Sequence, residues 1–440
     1  MATPGSISHG PAVAVTKLRP PRAHRGLVAR PRLFAALDAA TEAAPVTLVS
    51  APAGYGKTTA LAAWVHQCPQ PVAWLSLDEH DAAPATFVRH LVAAVARLDP
   101  SGAAQVAGDE PDAAFAALVN LLDAASGPQI WVLDDLHTVE GPETLEAVRR
   151  LVEWAPPALR LVLATRVDPG LPLARWRLQG ALAELRAEEL RFDAGEAGAL
   201  LDGIGVTLDA DTLAMLVART EGWGAGLQLA ALSLRGRRGE GVRDFVERFT
   251  GRDRHVLAYL TEEVLQRLDP ATHDFLLMVS VLEAFDAGTA AAVTERSDAF
   301  DLLAELERAN LFLSRTDDPD GTYRFHPFFR DLLLGRLNDL RPRLPALLRE
   351  RAAAHHRRAP APEAGAMVGA PPGAPLGERL SGRELEALRW LATGAANKAI
   401  ARRMGLSPNT VKTHLKRLFD KLGARSRTQA VAVARERGLI

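Results

Sequence analysis

Four short apolar runs stand out in the first 170 residues, at 46–50, 72–78, 129–133 and 161–165. Each is too short for a typical helix and is predominantly apolar, so each is read as a buried strand of one parallel sheet. Further along, the period becomes helical. Leu257, Leu260, Val264, Leu265 and Leu268 make one stripe, and Phe275, Leu276, Val279 and Leu282 another; both read as core. Near the end of the chain, Val411, Leu415, Leu418 and Leu422 recur at spacings of four, three and four. Asn409, Lys412, Thr413, Lys416 and Arg417 fall on the opposite face of that helix.

Helix starts are spelled out around this last stripe. Ser381 and Glu384 form a capping box, Ser426 and Gln429 a second, and Ser407 precedes a proline at the first helical position. The turn of residues 404–407 carries Gly405 before the amphipathic helix. Helix, short glycine turn and a helix with donors on its outer face are helix-turn-helix grammar, and such a helix fits the major groove of double-stranded DNA.

Charge sharpens the picture. Residues 376–440 hold 14 Lys+Arg against 5 Asp+Glu, a net of +9, while the whole chain is −1, which leaves −10 on residues 1–375. A basic module on an acidic body points to a localised polyanion partner. Arginines outnumber lysines 46 to 6, and four of the six lysines (Lys398, Lys412, Lys416 and Lys421) fall in this module. A hydrophobic content of 48% over 440 residues allows about three domains with sizeable cores. No apolar run approaches a membrane span, Cys68 is the sole cysteine, and the first residues lack the order of a secretory signal. Cytoplasmic residence without a membrane partner is therefore expected.

The first apolar run leads into Ala51-Pro52-Ala53-Gly54-Tyr55-Gly56-Lys57-Thr58-Thr59. This is a phosphate-binding loop with alanine where the strict pattern has its first glycine. Gly54 and Gly56 allow backbone N–H groups to close around phosphates, and the following helix offers its N-terminal dipole to an anion. Lys57 is expected to reach the terminal phosphates and Thr58 to hold Mg²⁺, with Tyr55 and Thr59 as further contacts. The 129–133 run ends in Asp134-Asp135. Asp134 is placed to hold Mg²⁺ and Asp135 to orient water, its short reach favouring slow hydrolysis. Arg166, at the end of the 161–165 run, is a candidate sensor of a third phosphate. A strand between the loop and the acidic strand in chain order is compatible with a sheet in which those two are not neighbours.

Two resemblances follow from these residues. Leu380-Ser381-x-Arg383-Glu384, Asn397-Lys398-x-Ile400-Ala401, Thr410-Val411-Lys412-x-His414-Leu415 and Arg427-Thr428-Gln429-Ala430 resemble the LuxR-type helix-turn-helix. That resemblance implies that Lys412, Thr413 and Lys416 face bases and that Asn397, Lys398, Thr410, His414 and Arg417 lie near phosphates, on paired half-sites. Thr16-Lys17-Leu18, Val28-x-Arg30, the loop, Leu133-Asp134-Asp135-Leu136-His137, Thr220-Glu221-Gly222-Trp223 and Arg324-Phe325-His326-Pro327 look like the large ATP-binding LuxR regulators of the maltose-activator type, members of the STAND class of signalling ATPases. It implies ATP or ADP with Mg²⁺, a nucleotide flanked by Val28 and Arg30, His326 on its diphosphate, self-association on ATP, and RNA polymerase as a partner. The chain departs from the pattern at Gly224, where the family usually has proline, and at residues 359–376, where five prolines and three glycines stand in place of a long helical-repeat sensor.

The expected architecture is multidomain α/β plus α: a disordered start (1–15), a P-loop ATPase with a parallel sheet (16–190), a helical domain (191–255), a winged-helix region (256–358), a linker (359–376) and a four-helix LuxR-type module (377–440). The expected function is an ATP-dependent DNA-binding regulator of transcription, an activator whose nucleotide state governs assembly. A constitutive DNA-binding protein with a scaffold-only ATPase part and a DNA-targeted motor or loader ATPase are the alternatives.

Overall fold

The computed structural model describes residues 13–22, 28–100, 111–125, 127–139, 141–235, 240–316 and 322–358, together with residues 387–391, 400, 415, 418, 429–430 and 433–434. The chain divides into two compact units, Met1–His356 and Arg357–Ile440.

The first unit is organised by five parallel strands, β1 (Val46–Ser50), β2 (Val72–Ser76), β3 (Gln129–Asp134), β4 (Leu159–Thr165) and β5 (Leu182–Leu185). Their order across the sheet is β2-β3-β4-β1-β5. β4 thus lies between β1 and β3, in register from Val46↔Leu161 to Ser50↔Thr165 on one side and from Gln129↔Leu159 to Leu133↔Leu163 on the other. Phosphate loop and acidic strand are therefore one strand apart, the arrangement that the chain order allowed.

Successive side chains of a strand point to opposite faces, and here both faces are covered. Leu48, Leu75, Leu133 and Leu163 join Phe87, Phe115, Leu118 and Val148 in one core. Val49, Trp74, Val132 and Val162 join Leu33, Leu37, Leu61 and Trp64 in the other. That double coverage is why the four strands read as predominantly apolar runs. The second core does not stop at the sheet. It continues through Trp223, Leu227, Leu260, Phe275, Phe325 and Phe329, so the helices after residue 190 are packed onto the sheet's helical layer.

Those helices begin on aspartates. Asp193, Asp209, Asp253, Asp269 and Asp286 each accept a backbone N–H from the first turn, satisfying donors that a helix leaves free. After the helix Arg254–Glu263 come the helices Pro270–Val279, Ala287–Thr294 and Ala299–Arg308, an antiparallel pair Leu313–Arg315 and Tyr323–Phe325, and the helix Pro327–Leu340. Three helices and a two-stranded wing make this a winged helix.

One strand is added to those expected, and one expectation needs correcting. The strand β5 was not among the apolar runs, because its Leu-Ala-Glu-Leu sequence is only partly buried at the sheet edge. Leu257 is 37% exposed, whereas Val256 and Leu260 are fully buried. The helix ends at Glu263 and turns into a 3-10 turn, Leu265–Arg267, so the stripe does not run along one helix.

Within the C-terminal unit, Ala387, Leu388, Leu391, Ile400, Leu415, Leu418, Ala430 and Ala434 are buried. Leu415 and Leu418 belong to the stripe expected to face the core. Among the described residues no helix is long and apolar enough to cross a membrane.

Candidate nucleotide site

The loop after β1 turns on two glycines in the left-handed region, Gly54 at φ 79° and Gly56 at φ 76°. L side chains rarely adopt this conformation. Gly54 is also hemmed in: a Cβ there would lie 2.6 Å from Ala225 Cβ, 2.7 Å from Trp223 Nε1 and 2.9 Å from Tyr259 Oη. Around Gly56 a Cβ would meet nothing within 4 Å, so the loop is open where the helix Lys57–Val65 begins.

Lys57 is buried and its Nζ donates to the carbonyls of Ala51 at 2.6 Å and Pro52 at 3.1 Å. Burial, with Arg166 adding to it, pushes the ammonium down to about 8. A buried cation bonded only to neutral carbonyls, at a helix start with open space above it, fits an anion. Thr58 Oγ1 donates to Asp134 Oδ1 at 2.9 Å. Burial pushes the Asp134 carboxyl up to about 7, and Asp135 beside it acts the same way. Asp135 itself takes a left-handed φ of 57° at the end of β3, with its side chain 40% exposed. No cluster of three or more His, Cys, Asp or Glu among the described residues can hold a metal alone. Thr58 and Asp134 suit Mg²⁺, which commonly takes one or two protein oxygens and fills the rest of its shell from phosphate and water.

On the other side of the loop lies a cavity of about 440 Å³, walled by Val28, Phe34, Phe192, Leu200, Gln228 and Tyr259, with Gly54, Gly56 and Thr59 at one end. Arg30 also lines it. Its guanidinium bonds Glu196 at 2.9 Å and the Arg191 carbonyl at 2.7 Å, and sits 4.0 Å from the Phe192 ring centroid. So Arg30 braces the wall through protein partners. Gly224 leaves room for that wall, since a Cβ there would press on Phe192 Cε2 at 3.1 Å.

The expected site residues of the first unit are thus gathered in two groups, with Tyr55, Arg166 and His326 outside both. Val28, Arg30, Gly54, Gly56 and Thr59 line the cavity, and Lys57, Thr58, Asp134 and Asp135 cluster at the strand ends. Tyr55 is buried, with its ring toward Phe312 at 6.4 Å, and burial pushes the phenol up to about 12. Arg166 lines a second cleft of about 1030 Å³ and bonds Glu263 at 2.7 Å. His326 stands behind Trp223, at 5.6 Å between ring centroids. Its Nδ1 accepts from the Phe328 N–H, so its Nε2 is the protonated nitrogen and donates to the Thr220 carbonyl at 3.1 Å. Asn397, Lys398, Thr410, Lys412, Thr413, His414, Lys416 and Arg417 lie outside the described residues.

Several residues at the site carry no local signal in the sequence. Trp223 Nε1 donates to the Ala53 carbonyl and the Ala225 N–H to the Gly54 carbonyl, so the helix Gly224–Leu234 docks on the loop. Asn310 Nδ2 donates to Ser50 Oγ at 2.9 Å and to the Arg166 carbonyl at 3.1 Å. Only a family pattern pointed to Trp223, and nothing pointed to Tyr259, Glu263 or Asn310.

Sheet order, phosphate loop and strand-end acid define a P-loop ATPase fused to a winged helix, and comparison with known proteins agrees module by module. Residues 40–166 match the AAA domain, residues 261–345 the MalT winged helix domain, and residues 378–434 the bacterial regulatory proteins of the luxR family. The serine/threonine-protein kinase PknK of Mycobacterium tuberculosis is 35% identical over 340 residues, covering 74% of this chain and 30% of that protein. The HTH-type transcriptional regulator MalT of Serratia proteamaculans is 34% identical over 346 residues, covering 76% of this chain and 38% of that protein. MalT of Yersinia enterocolitica is 32% identical over 330 residues, covering 73% and 36%. A Walker-type ATPase of Pyrococcus abyssi shares the fold, with a TM-score of 0.52 at 14% identity over 73% of this chain and 99% of that one. Over about three quarters of its length the chain is thus similar to MalT proteins and to PknK, and it spans about a third of the length of the curated relatives it matches.

Proposed function

We propose that this chain is an ATP-dependent, DNA-binding regulator of transcription, an activator whose nucleotide state sets how many copies associate. The observation that carries this reading is the docking of later elements onto the phosphate loop. Trp223 bonds Ala53 and Ala225 bonds Gly54, while Asn310 bonds Ser50 at the end of β1. A ligand seated on that loop touches the joint between the sheet and the helices and winged helix packed on it, so ligands of different length stabilise different arrangements. A ligand shifts such an equilibrium only by its difference in affinity for the two states.

In this reading ATP and ADP bind along the cavity, with Val28 and Arg30 beside the base, Lys57 on the terminal phosphates and Mg²⁺ held by Thr58 and Asp134. The metal supplies charge neutralisation between the phosphates. Asp135 orients water for slow hydrolysis, which resets the switch. ATP favours an open form that self-associates, and several LuxR-type modules then engage paired half-sites in double-stranded DNA with a gain from effective concentration. RNA polymerase is the partner such an assembly would recruit.

The test is solution mass by light scattering with saturating ADP and with a non-hydrolysable ATP analogue. Growth from monomer to assembly with the analogue alone supports the switch. Equal mass in both favours the reading in which the ATPase part is a scaffold. A Lys57→Ala variant is expected to lose about 10- to 100-fold in nucleotide affinity, the range for removing a hydrogen bond to a charged group, and with it the assembly. Assembly unchanged in that variant contradicts the mechanism.

A further inference from the structure

We propose that Glu263 sets the preference of this site between nucleoside diphosphate and triphosphate, by competing with a third phosphate for Arg166. The proposal rests on the nucleotide reading above and adds a residue to it.

Arg166 follows β4, the strand between the loop strand β1 and the acid strand β3. It therefore leaves the sheet between the strand that leads to Lys57 and the strand that ends in Asp134, near enough for its charge to act on Lys57. In this structure its guanidinium bonds the carboxylate of Glu263 at 2.7 Å. Glu263 is the last residue of the helix Arg254–Glu263, 97 positions along the chain. The same carboxylate reaches Arg267 at 3.5 Å. The Arg166 bond holds the Glu263 carboxyl below the usual carboxylate range.

The surroundings make Glu263 a stand-in anion. Lys57, Arg166 and Arg267 all act on His137, whose buried Nδ1 has no hydrogen-bond partner and which burial keeps neutral, pushed down to about 4. Asp134 and Asp135 face Lys57 from β3. Glu263 is the carboxylate that this cluster of cations receives from beyond the sheet. A diphosphate ends short of Arg166 and leaves the pair intact. A triphosphate brings a second anion to the same guanidinium, and one of the two must yield. One turn earlier on the same helix, Tyr259 packs on Trp223 at 5.8 Å and lies beside Gly54. Release of Glu263 thus loosens the C-terminal end of a helix that also packs beside the loop through Tyr259.

The experiment is calorimetric titration of the full chain with ADP and with a non-hydrolysable ATP analogue. Glu263→Gln keeps the shape and removes the charge. It is expected to tighten the ATP analogue about five-fold, the scale of a partly exposed ion pair, and to leave ADP affinity unchanged. In an Arg166→Ala background the same substitution is expected to change neither affinity, since the two residues act as a pair. Equal tightening or weakening of both nucleotides by Glu263→Gln, or an effect that survives in the Arg166→Ala background, overturns the proposal. If the wild-type chain binds both nucleotides and the variant keeps their affinity ratio, this proposal alone falls. If the wild-type chain binds neither, the nucleotide reading falls and takes this one with it.

Discussion

Trp223 and Ala53 are 170 residues apart in the chain, and a single indole N–H to carbonyl bond of 3.0 Å joins them. The indole is fully buried and is ringed by Tyr259, Phe312, His326 and Phe328 at centroid distances of 5.5 to 6.3 Å. It touches both the phosphate loop and the aromatic side chains of the winged helix.

Replacing Trp223 therefore separates two effects. Trp223→Phe keeps most of the packing and orphans the Ala53 carbonyl, at a cost of about 1–3 kcal/mol. Trp223→Ala also empties a large buried volume, at about 3–5 kcal/mol. Denaturant unfolding of the two variants should rank them in that order. Equal losses would mean that the packing of the ring contributes nothing beyond the bond.

Gly54→Ala should be more damaging than its size suggests. The new Cβ must adopt a positive φ and crowd Ala225, Trp223 and Tyr259 at under 3 Å. A destabilisation of about 1 kcal/mol or more is expected from backbone incompatibility before any clash. Gly56→Ala shares the strain and meets no neighbour, so comparison of the two by thermal unfolding isolates the docking contact.

His326 predicts an acid-sensitive core. Burial lowers its pKa from 6.5 to about 4 in the folded chain. A group with a depressed folded pKa contributes stability that is present above its unfolded pKa and is lost as pH falls through the folded value. Unfolding free energy should accordingly decline from about pH 6.5 toward pH 4, the window set by those two values. His326→Gln should show a flatter profile over that window. The same slope in both would assign the sensitivity to other groups.

For the C-terminal module, the two sets of cations should behave differently in DNA titrations. Lys412→Ala with Lys416→Ala should lose discrimination between sites, by about 1–3 kcal/mol for each base contact. Lys398→Ala should weaken all sequences alike and lower the salt dependence by about one counterion. Neither change should alter ADP affinity. If the Lys412/Lys416 variant kept its site preference, the recognition face would be assigned wrongly.

Legibility in the sequence followed distance along the chain. The strands β1 to β4 could be read because both of their faces are buried, so apolar residues dominate them and few polar positions interrupt them. Lys57, Thr58 and Asp134 could be read because loop and strand ends are local patterns with a fixed chemical purpose. β5 escaped notice, since an edge strand with Glu184 in it carries no such run. The contacts of Arg166 with Glu263 and of Ser50 with Asn310 span 97 and 260 positions, and no spacing rule reaches that far. Tyr55 illustrates the same limit inside a motif: its neighbours serve the loop, while its own ring belongs to the core beyond it.

The cavity beside the loop has walls from Val28 to Tyr259. During synthesis the five strands are complete once Leu185 has left the ribosome, and a sheet with its phosphate loop can form at that stage. The far wall, carried by Phe192, Gln228 and Tyr259, does not yet exist. A nascent chain can thus complete its sheet before the cavity beside the phosphate loop has its far wall.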